Sequence, residues 1–367
     1  MGQMSRDDVW MERKLVTFRT VSEIRPIKDA DKIELAIVDG WQVIVVKNTF
    51  AVGDIGCYFE VDSFLPMHEY FEFLKSSSYK KMGEEEGYRL RTIRMRGELS
   101  QGLLLPLAQL SLSGNEDEES LADLLGVKKY EPPIPAQLMG TVAGMFPSFI
   151  PKTDQERVQN LVGKIWGTGR TITYTDAEGN LVAKEIPPAP KRKYELSEKI
   201  DGSSTTVYNY CEKFGVCSRN LELLEDENNT YWKVANKYSL KEKLAGKNVA
   251  LQGELAGGGI QGNPLKLKGQ DIYIFDIYDI DSKQYLSPEE RDVFLKTHIP
   301  EIPTVPILAR NFDLPESCKE LLEYVQGKSA LNPKQDREGV VFKEESSIVN
   351  RFTFKGISNK YLLSQKD

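Results

Sequence analysis

The chain has 367 residues, 40% of them hydrophobic and 28% charged, with a formal net charge of -7. That length accommodates two domains of ordinary size with their own cores, and the acidic balance excludes a lysine-coated, nonspecific polyanion binder while leaving room for local basic patches. The four cysteines (Cys57, Cys211, Cys217, Cys318) lack metal-type pairing and read as reduced thiols, residues 1–13 hold no signal-peptide core, and no window approaches a membrane span, so a cytoplasmic protein is expected.

Residues 15–18, 33–38, 42–46 and 56–61 read as short strands, with turns at Asp39-Gly40 and Val52-Gly53-Asp54. Consecutive strands at this spacing predict a small antiparallel barrel. Residues 75–87 are polar and bounded by glycine, which predicts a mobile loop. Two further strands are expected around Gly97. There Arg89, Arg91, Arg94 and Arg96 interleave with Leu90, Ile93 and Met95, which fits either a phosphate-tracking surface or simply a charged outer strand face. The acidic run at 114–120 reads as a solvated loop entering a short helix at 121–125.

Proline-rich stretches at 131–135 and 186–190 flank a junction, and the boundary is set just before Phe146, giving domains of 12–145 and 146–367. Thr153 or Asp154 is expected to cap a helix, and Lys152 and Arg157 nearby are candidates for phosphate contact or for ordinary solvated surface. A strand at 194–198 then delivers Lys199 to an Asp201-Gly202 turn, with 203–208 expected to return as the second strand of a hairpin. Such a lysine can attack phosphorus if its amine is freed by nearby positive charge or burial. Read alone, it fits a solvated lysine beside a turn better than a nucleophile.

Later strands change that balance. Arg219 and Asn220 close one strand, Glu254 is the single acid of an apolar strand at 249–257, Phe275 lies in an aromatic strand at 272–280, and Glu338, Lys343 and Lys355 fall on two more. A nucleotidyl-transfer site needs a lysine nucleophile, carboxylates for a divalent metal, cations for phosphate, a platform for the base and an acid for the ribose. With only His68 and His298 in the chain, histidine chemistry is not expected to dominate, and hard oxygen ligands suit Mg²⁺ or Mn²⁺.

Residues 24–41, with Val52-Gly53-Asp54 and 62–66, resemble OB-fold domains of tRNA-binding modules and of a group of RNA ligases. Lys199-Ile200-Asp201-Gly202, Ser218-Arg219-Asn220, 253–257, Phe275-Asp276-Ile277, 338–343 and 352–355 resemble, in order, the motifs of the covalent nucleotidyltransferase superfamily of ATP-dependent ligases and capping enzymes. The likeness is greatest to RNA ligases with an N-terminal OB domain.

The resemblance implies an α+β protein: an antiparallel OB barrel, then an ATP-grasp-like catalytic domain of antiparallel sheets flanked by helices. It implies that Lys199 becomes AMP-linked with Glu198 beside the adenine, that Arg219 contacts ribose or the acceptor end with Asn220 also at the ATP sugar or phosphate, and that Glu254 contacts the ribose. Phe275 would stack on adenine, Glu338 would organise a metal through its water shell with Asp201 as a second carboxylate, and Lys355 would hold the α-phosphate. The family's last motif commonly reads Lys-x-Lys, whereas this chain has Thr353-Phe354-Lys355, with Lys343 or Lys360 as candidate stand-ins. The implied activity is ATP-dependent sealing of RNA 3′-hydroxyl and 5′-phosphate ends by a monomer, in RNA repair. A DNA ligase, a guanylyltransferase and a catalytically inert RNA-binding protein stay open at this level.

Overall fold

The computed structural model describes residues 14–131, 141–175, 181–345 and 351–364. The N-terminal stretch and the proline-rich segment after Glu131 lie outside the described residues. The chain divides into two units, Met1–Ile134 and Pro135–Asp367.

The first unit contains β1 (Val16–Pro26), β2 (Ile33–Val38), β3 (Trp41–Val46), β4 (Ile55–Phe59), β5 (Ser63–Pro66), β6 (Tyr79–Met82), β7 (Glu85–Arg89), β8 (Thr92–Met95), β9 (Glu98–Gln101), β10 (Leu103–Pro106) and β11 (Lys128–Lys129). Its main sheet is antiparallel in the order β10-β4-β1-β2-β3. β1 pairs with β4 through its first half and β2 through its second, and an irregularity between Val21 and Glu23 lets it bend, curling the sheet around Val21, Trp41, Val43 and Tyr58. Asp39 (φ 49°) and Gly40 (φ 85°) take the left-handed pair of conformations that a two-residue β2–β3 hairpin needs. The β8–β9 hairpin lies along β3, where Ile44 N donates to Ser100 Oγ at 3.0 Å.

The expected loop at 75–87 is instead a helical turn, Lys75–Ser78, followed by the β6–β7 hairpin, with β7 paired to β5. The reason lies in Gly87. A Cβ there would sit 2.4 Å from the Leu65 carbonyl oxygen, so this glycine permits close strand pairing rather than marking a loop.

The second unit contains β12 (Val142–Met145), β13 (Arg170–Thr175), β14 (Leu181–Ile186), β15 (Tyr194–Lys199), β16 (Ser203–Tyr210), β17 (Lys213–Cys217), β18 (Leu221–Leu223), β19 (Val249–Gly257), β20 (Gln270–Asp279), β21 (Gln284–Tyr285), β22 (Ile307–Phe312), β23 (Gly339–Glu344) and β24 (Thr353–Ile357). A seven-stranded sheet runs β12-β18-β17-β16-β19-β20-β21 and a four-stranded sheet runs β22-β15-β23-β24. β12 pairs with β18 and so sits in this unit, upstream of the boundary drawn at residue 146. The helix Thr230–Lys237 packs with the apolar face of the larger sheet around Trp232, Leu251 and Ile274, and Cys318–Tyr324 packs on the smaller around Leu321, Phe342 and Phe354.

Two expectations change here. β15 and β16 do not form a hairpin: β15 pairs with β22 and β23, and β16 with β17 and β19, so the chain changes sheets at Asp201-Gly202. Gly202 is required by proximity, since a Cβ would lie 2.4 Å from the Leu255 carbonyl oxygen. Nor does Thr153 or Asp154 cap a helix. The helical turn starts at Val158, and Thr153 Oγ1 shares a 2.6 Å hydrogen bond with Ser204 Oγ.

Candidate active site

Lys199 ends β15 opposite Gly339, the first residue of β23. Glu338 immediately precedes that strand, so register alone brings its carboxylate to the lysine, and Lys199 Nζ donates to Glu338 Oε2 at 2.6 Å. Their side chains are 24% and 17% exposed. Glu254 of β19 and Asp201 add two more negative charges. Burial pulls the Lys199 pKa down, but Glu338, Glu254 and Asp201 together outweigh it and hold it above the ordinary 10.5, so the amine is stored as an ammonium. Burial raises the Glu338 carboxyl against the pull of the lysine. The Glu254 carboxyl is pushed up to about 7, chiefly by burial and despite Lys199.

Lys355 of β24 lies opposite Val341, and its backbone N donates to Glu156 O at 2.8 Å beside a bridge to Arg157. Burial, then the positive charges of Lys199 and Arg157, bring its pKa down to about 8. Thr353 lies opposite Lys343, so a lysine at 353 would face a like charge across the strands. Neither proposed stand-in takes its place. Lys343 Nζ donates to Phe275 O at 2.6 Å and pairs with Asp276 at 3.0 Å, while Lys360 pairs with Asp336 at 3.3 Å on the surface.

Lys343 therefore supports Phe275, bonded to its carbonyl and close to its ring. Asp276 pairs with Gln252 and Ile274 with Gly253, which leaves Phe275 as the extra residue of a bulge, the feature that re-aims a side chain. Its ring packs with Ile200, Ala256, Leu265 and Val305. Arg351 completes the support at 2.9 Å from Asp276; burial opposes ionisation of that carboxyl, but Arg351 and Lys343 hold it below its ordinary range. Glu198 accepts from Ala330 N through Oε2 at 2.7 Å, whereas its Oε1 is buried with no hydrogen-bond partner among the described residues. A buried acceptor in that state is suited to a donor from a bound base.

Residues 151–157 run across both sheets. Pro151 O accepts from Gln252 Nε2 at 2.7 Å, Lys152 Nζ reaches Asn220 Oδ1 at 3.0 Å, and Asp154 pairs with Arg219 at 2.6 Å in solvent. Lys152, Arg157, Arg219 and Asn220, read separately in the sequence, are thus gathered along one segment. Sequence reasoning gave no site role to Gln252, Asp154, Asp276 or Tyr361, whose hydroxyl donates to Asp201 Oδ2 at 2.6 Å. These pairings span long sequence separations and leave no local spacing to detect.

Among the described residues, no cluster of three or more His, Cys, Asp or Glu side chains forms a cage for a bare metal ion. The carboxylates around Lys199 suit a hydrated divalent ion held through water. In the first unit, Arg91 precedes β8 and is exposed, Arg94 is half-buried on β8, and Arg96 (φ 51°) occupies the β8–β9 turn. They do not share the single exposed strand face expected. The exposed positions of β8 are Ile93 and Met95, and Arg89 is turned to Asp62 at 2.9 Å and over the Tyr130 ring.

A family model described as RNA ligase matches residues 192–361, and one described as an OB-fold domain matches 15–107. No curated protein matches the chain. Among solved structures, a Naegleria gruberi RNA ligase lysine mutant with AMP and Mn is 42% identical with a TM-score of 0.78, the match covering 97% of this chain and 100% of that one. The Naegleria gruberi RNA ligase with pyrophosphate is also 42% identical, with a TM-score of 0.76 and coverage of 96% and 98%. A further lysine mutant with ATP and Mn gives 42% identity, a TM-score of 0.77 and coverage of 96% and 99%. A curled antiparallel module followed by a two-sheet unit, with Lys199 at the end of β15, is the architecture this chain shares with those RNA ligases. The chain belongs to the RNA ligase family.

Proposed function

We propose that this chain is an ATP-dependent RNA ligase that joins 3′-hydroxyl and 5′-phosphate ends through a lysyl-AMP intermediate on Lys199, acting as a monomer in the repair of broken RNA. The observation that carries the reading is the Lys199–Glu338 pair at 2.6 Å with Lys355 among the charges around it. The pair is a nucleophile held in reserve. The Naegleria relative was solved with ATP, AMP, Mn and pyrophosphate, and the same substrate, metal and product are proposed here.

Adenine would lie on Phe275 with its amino group donating to Glu198 Oε1, and Glu254 would meet the ribose. Lys199 must lose its proton and its hold on Glu338 before it can attack. Its nitrogen then bonds the α-phosphorus as the bond to pyrophosphate breaks, while Lys355, with Arg157 beside it, offsets the phosphate charge. A hydrated Mg²⁺ or Mn²⁺ held by Glu338 and Asp201 would supply charge neutralisation and disfavour the lysine's proton. AMP passes next to the RNA 5′-phosphate, and the 3′-hydroxyl displaces it to close the phosphodiester. Arg219, Asn220 and Lys152 on the catalytic unit, with Arg91, Arg94 and Arg96 on the first unit, are proposed to hold RNA phosphates.

The test is end-joining on nicked duplexes whose 3′-hydroxyl strand is RNA or DNA. Sealing that needs ATP, a divalent metal and an RNA 3′-hydroxyl is expected. Equal or better sealing of the DNA strand would reassign the enzyme, and labelling by GTP in place of ATP would point to capping chemistry.

A further inference from the structure

We propose that Tyr361 is a positioning residue for lysine nucleotidylation: its hydroxyl fixes the Asp201 carboxylate in its place near the Lys199–Glu338 pair. The inference rests on the function proposed above. Asp201 occupies the crossing from the four-stranded to the seven-stranded sheet, where no ladder between β15 and β16 restrains it. Its neighbours are fixed, Ile200 by burial and Gly202 by close approach to Leu255, but its own side chain needs a partner.

Tyr361 provides one. It is 4% exposed, stands in the C-terminal helix Asn359–Ser364, and donates to Asp201 Oδ2 at 2.6 Å. A hydroxyl bond to a carboxylate of that length belongs to the strong class. The same segment also ties down the backbone of Glu338. Tyr361 N donates to Ser358 Oγ at 3.1 Å, and Ser358 N donates to Glu338 O at 2.8 Å. Ser358 and Tyr361 thereby anchor the Glu338 main chain and the Asp201 carboxylate to one segment.

Without the hydroxyl, Asp201 is free to swing onto the Lys199 ammonium and share it with Glu338. Asp201 would then leave the place from which it acts. Phe275, Glu198 and Lys355 would be untouched, so ATP should bind as before.

Tyr361→Phe removes the hydroxyl and keeps the buried ring. At saturating ATP and metal, the rate of Lys199 labelling should fall about tenfold, as expected for losing one hydrogen bond to a charged group, with KM for ATP within about twofold of wild type. Thermal midpoints give a reading that does not need activity. Tyr361→Phe and Asp201→Ala should each shift the midpoint, and the double variant should shift it by less than their sum. A full labelling rate in Tyr361→Phe, a loss confined to KM, or additive midpoints would each overturn the role of Tyr361 alone. A wild-type protein that takes no label would overturn the function proposed above and this inference with it.

Discussion

Charge is used differently in the two units. Arg91 and Arg96 of the first unit stand in solvent, where salt screens their charges. In the second unit Lys343 and Asp276 are each only 3% exposed, and Glu195, wholly buried, takes a two-pronged contact from Arg291 at 2.7 and 2.8 Å. Charges withdrawn from water must be matched, and matching fixes position. The second unit builds a rigid frame from ion pairs beneath Phe275, whereas the exposed arginines of the first unit have no such frame around them.

The largest expected effect attacks the frame. Asp276→Ala leaves Lys343 and Arg351 buried without their carboxylate and should destabilise the protein by about 3–5 kcal/mol in denaturant unfolding. Lys343→Met removes one charge while Arg351 still satisfies Asp276, so a smaller loss is expected. Equal losses for the two would break the claim that unmatched charge is the cause.

Phe275→Ala tests what the frame is for. Loss of one base-stacking ring should raise KM for ATP by a factor corresponding to about 1–3 kcal/mol, read in steady-state labelling, while the unfolding midpoint moves less than in Asp276→Ala. An unchanged KM would detach the frame from the nucleotide.

A third prediction concerns pH. The Lys355 pKa is lowered to about 8, so its ammonium is present below that pH and lost above it. Affinity for ATP, measured directly by titration calorimetry, should decline as pH rises through about 8. Lys355→Arg, which keeps its charge, should flatten that decline, and a decline of the same size in the variant would assign it to another group.

The smallest effect belongs to the first unit. Arg91→Ala or Arg96→Ala should weaken RNA binding modestly and evenly across sequences, lowering the slope of log affinity against log salt by about one for each arginine withdrawn from a phosphate. A strong sequence-selective loss would mean that these arginines read bases.

Much of this architecture was legible in the chain. The β2–β3 hairpin follows from alternating apolar residues around Asp39-Gly40, and Glu254 and Phe275 fall on strands at the positions their patterns suggest. The same turn vocabulary failed at Asp201-Gly202 and at Gly87, because there glycine answers to a carbonyl approaching from another strand, which no local pattern encodes. The convergence of Lys199, Glu338, Glu254 and Asp201 was anticipated from the order of their motifs. Lys343 was expected at a phosphate and lies under Phe275 because its partner Asp276 is far away in sequence. Tyr361, with a partner 160 positions away, gave no signal at all.

The central claim is that Lys199 is the nucleophile. Incubation with ATP labelled on the α-phosphate and a divalent metal, followed by mapping of the labelled peptide, tests it most directly. The account predicts one AMP on Lys199 in a phosphoramidate bond and none on Lys199→Ala. AMP on any other residue, or equal labelling of Lys199→Ala, would contradict it.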